Sequence, residues 1–227
     1  MDKLILSEAL QTEYPEAAVG VLVMRHVANP DHHPALESRK AELEEELRSR
    51  YGDYDRARLR QLPTIQAYDA YYKRFRKTYH VLLQLESVAL KHQPIFSVAA
   101  LVEAMLMAEL KSLMLTAGHD LDVVQEPVRV DVAQGTERYT QLNGKQQVLK
   151  AGDMFIADAA GVISSIIYGP DRRTRIRSTT QQVLFTTYAP PGIRRETVDQ
   201  HLRDIRANVL LVAPGAQTVL LRVDEAT

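Results

Sequence analysis

The stretch Leu113-Met-Leu-Thr-Ala-Gly-His-Asp-Leu-Asp122 separates two parts of the chain that have different patterns. Before it, apolar residues recur at helical spacing, and after it come short alternating segments separated by turn residues. Helices first, strands later and no regular βαβ alternation predict an α+β fold, with helices packed on mainly antiparallel sheets. A histidine and two acids stand where an apolar helix must end and enter a sheet, so we expect a pocket there.

The upstream part predicts a strand at 18–25 and helices at 35–50, about 65–79, about 83–91 and about 98–115. The second of these helices carries an apolar stripe at intervals of three and four residues, which we expect to pack into the core. The members of this stripe are Ile65, Tyr68, Tyr72, Phe75 and Tyr79.

A cluster of cations lies beside that stripe: Lys73, Arg74, Arg76 and Lys77. Proteins that bind single-stranded RNA place cations next to aromatic rings, so the basic cluster, with Lys73 and Arg74 first, is a candidate RNA contact. The alternative is that these cations are simply solvated.

The helix at 98–115 is apolar around more than half of its circumference, so we expect it to be buried. Glu103 and Glu109 are therefore notable, because a charge in a dry core must reach an edge, a partner or a cavity. Their spacing is not that of a metal-ligand pair.

The downstream part predicts six strands, one helix and a final strand. Asn143-Gly144 between two alternating segments indicates a hairpin with a type I′ turn. The expected strands are 128–132, 138–142, 145–149, 153–157, 161–168 and 182–188, followed by a helix at 195–210 and a strand at 218–223.

Composition limits the classes of partner. The formal net charge of −1 excludes the basic excess typical of proteins that hold nucleic acid mainly through phosphates, so any RNA contact must use local basic patches. The absence of cysteine excludes disulfides and thiolate metal sites. We expect no cofactor, no metal, no DNA, no membrane span and no signal peptide, with the cytoplasm as the default location.

Between about residues 65 and 195 a series of short segments follows one another in a fixed order: Leu101-Val-Glu103, Gly118-His-Asp-Leu-Asp122, Gly135-Thr-Glu137, Leu142-Asn-Gly144, Gly152-Asp-Met-Phe-Ile-Ala-Asp158 and the spaced Thr174 and Thr180. In this order and spacing they resemble the B3/B4 domain, which is the editing part of the β subunit of bacterial phenylalanyl-tRNA synthetase and also occurs as free-standing proteins. The resemblance implies a β/β/α sandwich in one domain spanning residues 1–227, with residues 1–64 supplying its first strand and helix.

The resemblance also implies a cleft in which water hydrolyses a wrongly attached amino acid from the 3′ end of a tRNA. The family's asparagine, histidine and tyrosine-recognising glutamate correspond here to Leu106, Ala117 and Thr186. Loss of those polar partners changes specificity strongly. We therefore expect either a substrate other than tyrosyl-tRNA or a site without hydrolytic activity.

The candidate catalytic pair is His119 and Asp120, because a histidine near a carboxylate could activate water. The alternative is that Asp120 caps a turn and His119 points outward. The expected substrate pocket consists of Leu106, Ala117, Ser164, Ser165 and Thr186.

Arg172, Arg173 and Arg175 lie in a turn near the expected substrate rim and could bind the terminal phosphates of tRNA. They could equally be ordinary surface charges. Two functions remain open: a hydrolase that edits a mischarged aminoacyl-tRNA, and a non-catalytic protein that binds tRNA or an amino-acid-like ligand in the same cleft.

Overall fold

The structure, a computed structural model, describes residues 4–226. Within these residues the α-helices are α1 Glu8–Glu13, α2 Pro34–Tyr51, α3 Arg56–Leu59, α4 Pro63–Arg74, α5 His80–Leu85, α6 Ala100–Ser112 and α7 Arg195–Val212. The strands are β1 Leu4–Leu6, β2 Ala18–Arg25, β3 Thr116–Asp120, β4 Val128–Val132, β5 Arg138–Thr140, β6 Gln146–Val148, β7 Met154–Asp158, β8 Gly161–Ser165, β9 Gly169–Pro170, β10 Gln182–Ala189 and β11 Gln217–Glu225. No helix in this part of the chain combines the length and apolar character needed to cross a membrane.

The strands form two main sheets and one hairpin. The first sheet has the order β1-β4-β7-β8-β9, and the second has the order β11-β2-β10-β3. Only β1 and β4 pair in parallel; every other pairing in the described chain is antiparallel. The expected α+β class with mainly antiparallel sheets is confirmed.

The four-stranded sheet lies between a helical layer and the five-stranded sheet. On its helical face Gly20 of β2 leaves room for α7, since a Cβ there would lie 2.7 Å from Cγ1 of Val198. On the opposite face Tyr188 of β10 hydrogen-bonds Ser164 of β8. This order of layers is the expected β/β/α sandwich.

The stretch 113–122 is not a turn between the two parts of the chain, because residues 116–120 form the edge strand β3 of the four-stranded sheet. All five residues are buried and pair with β10. The polar side chains of this strand find partners far away in the sequence: Thr116 bonds His201, and His119 bonds Thr174. Local patterns do not reveal such partners, which is why the strand was not predicted.

The Asn143-Gly144 hairpin is confirmed as β5 and β6, but the predicted type I′ turn is wrong. Only Gly144 of the pair has a positive φ, +85°. Its N–H donates to the Gln141 carbonyl at 2.8 Å, and Oδ1 of Asn143 accepts the N–H of Lys145 at 2.9 Å. The asparagine therefore acts through its side chain rather than through a left-handed backbone.

The aromatic stripe packs into the core, as expected. Tyr68 and Tyr79 stack with their ring centroids 4.4 Å apart. Helix α4 ends at Arg74, earlier than predicted, and Arg76 then adopts a positive φ of +57°.

Glu103 of α6 has the partner that its burial requires, since its Oε1 lies 3.3 Å from Nζ of Lys40.

Candidate substrate cleft

A cleft with a volume of about 340 Å³ opens between the helical layer and the two sheets. Its walls come from α5, α6, the start of β3 and the segment that follows β8. The lining residues are His80, Gln84, Phe96, Val102, Met105, Leu106, Glu109, Leu115, Thr116, Ala117, Ser165, Ile166, Ile167, Tyr168, Gly169, Pro170 and Tyr188. A cleft of this size lies at the lower end of the ~300–1,000 Å³ range typical of small-molecule sites.

The expected pocket residues lie in or next to this cleft. Leu106, Ala117 and Ser165 line it. Ser164 lies one layer deeper and hydrogen-bonds the hydroxyl of Tyr188, which does line the cleft. Thr186 is fully buried beside Ala117 and donates a long 3.5 Å hydrogen bond to its carbonyl.

Glu109 is the carboxyl group of the cleft. Its side chain is buried, and its Oε1 accepts the backbone N–H of Thr116 at 2.6 Å. Burial raises the pKa of Glu109 to about 8, an effect that the Thr116 hydrogen bond only partly offsets. The sequence marked Glu109 as a charge that needed an edge, a partner or a cavity; it lies at a cavity, but it was not placed among the candidate site residues.

His119 does not lie in the cleft wall. Its ring is fully buried, and Nδ1 shares a 2.8 Å hydrogen bond with Oγ1 of Thr174. Because that hydroxyl donates to Asp171, Nδ1 carries the proton, and Nε2 has no partner among residues 4–226. Burial lowers the pKa of His119 to about 3, with Arg173 acting in the same direction and Asp158 opposing it. The geometry therefore favours neither a general base nor the alternative of an outward-pointing histidine.

Asp120 acts as a structural acceptor. Its Oδ1 accepts the N–H of Asp122 at 3.2 Å, and its Oδ2 accepts the hydroxyl of Thr180 at 2.8 Å. The first contact caps the 3₁₀ turn Leu121–Val123, as the alternative interpretation of Asp120 expected. With both oxygens engaged away from the cleft, we do not retain His119 and Asp120 as a catalytic pair.

The three candidate arginines differ in their surroundings. Arg173 donates to Oδ1 of Asp158 at 2.7 Å and to the Val123 carbonyl at 3.0 Å, so it ties the turn to the sheet. Arg175 donates to the Arg172 carbonyl at 2.9 Å. Arg172 is exposed, and a Cβ on Gly144 would lie 3.3 Å from its Nη1. Its guanidinium therefore stands by the turn between β5 and β6, which does not line the cleft.

The basic residues of α4 are also unequal. Lys73 is exposed, whereas Arg74 pairs with Glu13 and covers the ring of Tyr14. Lys77, another member of the basic cluster, places Nζ 4.5 Å from the ring centroid of Tyr168. Because Tyr168 lines the cleft, Lys77 brings a positive charge to its rim.

Across residues 4–226, no three His, Asp or Glu side chains converge as a metal site would require.

A family model described as the B3/4 domain matches residues 73–208. The chain belongs to this family. The matched region of the B3/4 domain contains every residue that lines the cleft. A search of curated proteins found no significant match.

Among solved structures, this B3/4 domain is similar to an N-terminal fragment of the phenylalanyl-tRNA synthetase β-subunit from Pyrococcus horikoshii. The two share 12% sequence identity with a TM-score of 0.49. The superposition covers 97% of this chain and 50% of the other, so the chain spans about half the length of that fragment.

Proposed function

We propose that this B3/4 domain binds the aminoacylated 3′ end of a tRNA in the cleft and hydrolyses the ester of a wrongly attached amino acid. The observation that carries the proposal is the convergence of the family's substrate positions on one cleft whose rim is basic. Leu106 and Ala117 line the cleft, and Thr186 lies beside Ala117 on the neighbouring strand. Lys77 lies beside the cleft residue Tyr168, and Arg172 adds an exposed cation at the β5–β6 turn, so we expect both to meet the phosphates of an RNA end.

The proposed reaction needs no covalent enzyme intermediate. The oxygen of a water molecule forms a bond to the ester carbonyl carbon, the bond to the ribose oxygen breaks, and that oxygen takes a proton. The products are a free amino acid and an uncharged tRNA. The role of the cleft is to orient the ester and water and to exclude bulk solvent, which can lower the barrier by several kcal/mol.

The cleft walls favour an apolar amino acid. Leu106 and Ala117 replace the polar residues that the synthetase domains carry at these positions, and Leu115 extends the apolar surface. A tyrosine hydroxyl would lose its hydrogen-bond partners here, which costs discrimination of several orders of magnitude in sites built to recognise it. An aliphatic side chain has no polar group and so loses no hydrogen-bond partner in this cleft.

A second function is favoured by the same replacements. If the family's asparagine and histidine are needed to position water, then Leu106 and Ala117 leave a cleft that binds the aminoacyl end without cleaving it. The two functions predict the same ligand and differ in turnover.

A deacylation assay separates the two functions. A panel of correctly and wrongly charged tRNAs is incubated with the wild-type protein, with Ala117→Leu, which fills the cleft, and with Arg206→Ala, an exposed cation on α7, as the matched control. Hydrolysis is expected for at least one aliphatic aminoacyl-tRNA, lost in Ala117→Leu and retained in Arg206→Ala. Saturable tRNA binding without hydrolysis would select the second function, and absence of binding at low salt would remove both.

A further inference from the structure

Glu109 is an acid in an otherwise apolar part of the cleft. Val102, Leu106 and Leu115 surround the opening in front of it. Its Oε1 accepts the Thr116 N–H, while Oε2 has no hydrogen bond within residues 4–226. A buried carboxyl with an unused oxygen facing a cavity is costly to the fold, and a group that bonds this oxygen would offset the cost.

The neighbouring polar groups are already engaged elsewhere. The hydroxyl of Tyr68 donates to the Tyr188 carbonyl, and the hydroxyl of Tyr79 donates to the Leu113 carbonyl at 3.0 Å. The hydroxyl of Thr116 shares a 2.6 Å hydrogen bond with the His201 ring. These three hydroxyls are therefore engaged with partners other than Oε2.

Cations are also directed away from Glu109. Lys111, the nearest basic residue along α6, extends to Asp204 and lies 2.8 Å from its Oδ1. Among the residues that line the cleft, His80 is the one basic side chain, and it lies exposed on α5. A ligand that enters the cleft would thus meet a carboxyl group without a counter-ion.

We propose that Glu109 binds a protonated amino group of the ligand, whose aliphatic part packs against Leu106 and Leu115. On the proposed function, on which this identification rests, the group is the α-ammonium of an aminoacyl ester. A free aliphatic amine carries the same chemistry. Because burial raises the pKa of Glu109 to about 8, the empty site holds a proton near neutral pH, and binding of an ammonium releases it. The carboxylate so formed accepts a charge-assisted hydrogen bond at Oε2 and has the ammonium as its counter-ion.

Small probes test this site directly. Leucinamide carries an ammonium, an aliphatic side chain and no carboxylate, and N-acetyl-leucinamide differs from it by loss of the charge. Leucinamide is expected to bind the wild-type protein about tenfold or more tightly than its acetylated form, as measured by calorimetry and by ligand-induced thermal stabilisation. Equal binding of the two probes, or no binding of leucinamide at millimolar concentration, would overturn the proposal.

Two substitutions assign that preference to Glu109. Glu109→Gln keeps the shape and removes the charge, and Glu109→Met fills the same volume with an apolar chain and so keeps a folded protein available if the glutamine variant fails to fold. Both are expected to bind the two probes with similar affinity. A leucinamide preference that survives in either folded variant would overturn the assignment to Glu109.

A competition experiment with aminoacyl-tRNA tests the amino-group site separately from the proposed function on which it rests. Leucyl-tRNA and N-acetyl-leucyl-tRNA compete for the wild-type protein and for Glu109→Gln. If only the wild type prefers the unacetylated tRNA, the site and its aminoacyl ligand are both supported. If hydrolysis or tRNA binding occurs with no such preference, the amino-group site fails while the proposed function stands. If leucinamide binds through Glu109 but no tRNA binds, the proposed function fails while the site stands.

Discussion

Thr116 donates its backbone N–H to Oε1 of Glu109 at 2.6 Å, so the first residue of the edge strand fixes the acid of α6 at the cleft. This contact joins the helical layer to the sheet at the cleft that Leu106 and Ala117 line. Stability and ligand binding should both depend on it.

The dependence of stability on pH should reveal the titration of Glu109 in the folded protein. Burial raises its pKa in the folded protein from 4.5 to about 8. Between these values the folded state holds a proton that the unfolded chain has released, so the free energy of unfolding falls as the pH rises through this window. Glu109→Gln cannot titrate and should gain on the order of a few kcal/mol relative to wild type between pH ~5 and pH ~8.5.

Thermal unfolding of the two proteins at both pH values provides the measurement. Asp153, whose pKa burial raises to about 7, contributes a similar trend, but it is present in both proteins and cancels in the difference. A difference in melting temperature that does not change with pH would contradict the raised pKa of Glu109.

The contact between β2 and α7 should not tolerate a methyl group. A Cβ on Gly20 would lie 2.7 Å from Cγ1 of Val198 and 3.1 Å from Cδ1 of Leu202, so one of the two layers must shift. Gly20→Ala should cost about 1–3 kcal/mol in urea unfolding. Gly215→Ala, where a Cβ would meet nothing within 4 Å, is the matched control and should be close to neutral.

The ring of His119 should remain neutral throughout the physiological range. Burial lowers its pKa to about 3, so its NMR chemical shifts should stay constant between pH ~5 and pH ~8, where an ordinary histidine titrates. Titration of His119 near pH 6.5 would show that water reaches the ring and would reopen its role as a base.

The cations Lys77 and Arg172 should each contribute separately to RNA affinity. Lys77→Ala and Arg172→Ala should each weaken tRNA binding and reduce the slope of log affinity against log salt by about one. Arg206→Ala should change neither quantity. Arg173→Ala should instead lower the free energy of unfolding, because it removes the partner of the buried Asp158. Rim variants that bind tRNA with the wild-type salt slope would place the RNA elsewhere.

The spacing of apolar residues was enough to predict most of the helices and strands. The family resemblance added two residues of the apolar wall of the cleft. The helix at 98–115, the Asn143-Gly144 hairpin and the buried aromatic stripe all follow from local spacing, and the family resemblance led to Leu106 and Ala117. Each of these features depends on residues close together in sequence or on a fixed motif.

The parts that were missed depend on distant partners. His119 is held by Thr174, 55 residues away, so its burial could not be read from its own neighbourhood. Lys77 gains its position from Tyr168, and Glu109 from the path of β3. A charged residue within an apolar helix was the one local signal available, and it marked Glu109 without saying what the residue faces.

The most direct test of the central claim is single-turnover hydrolysis of aliphatic mischarged tRNAs by the wild-type protein and by folded Ala117→Leu. The account predicts release of the amino acid by the wild type at a rate above spontaneous hydrolysis, and a return to the spontaneous rate when Ala117→Leu fills the cleft. Hydrolysis that continues unchanged in Ala117→Leu would show that the reaction takes place outside this cleft. Release at the spontaneous rate by the wild type for every substrate would show that the protein is not a deacylase.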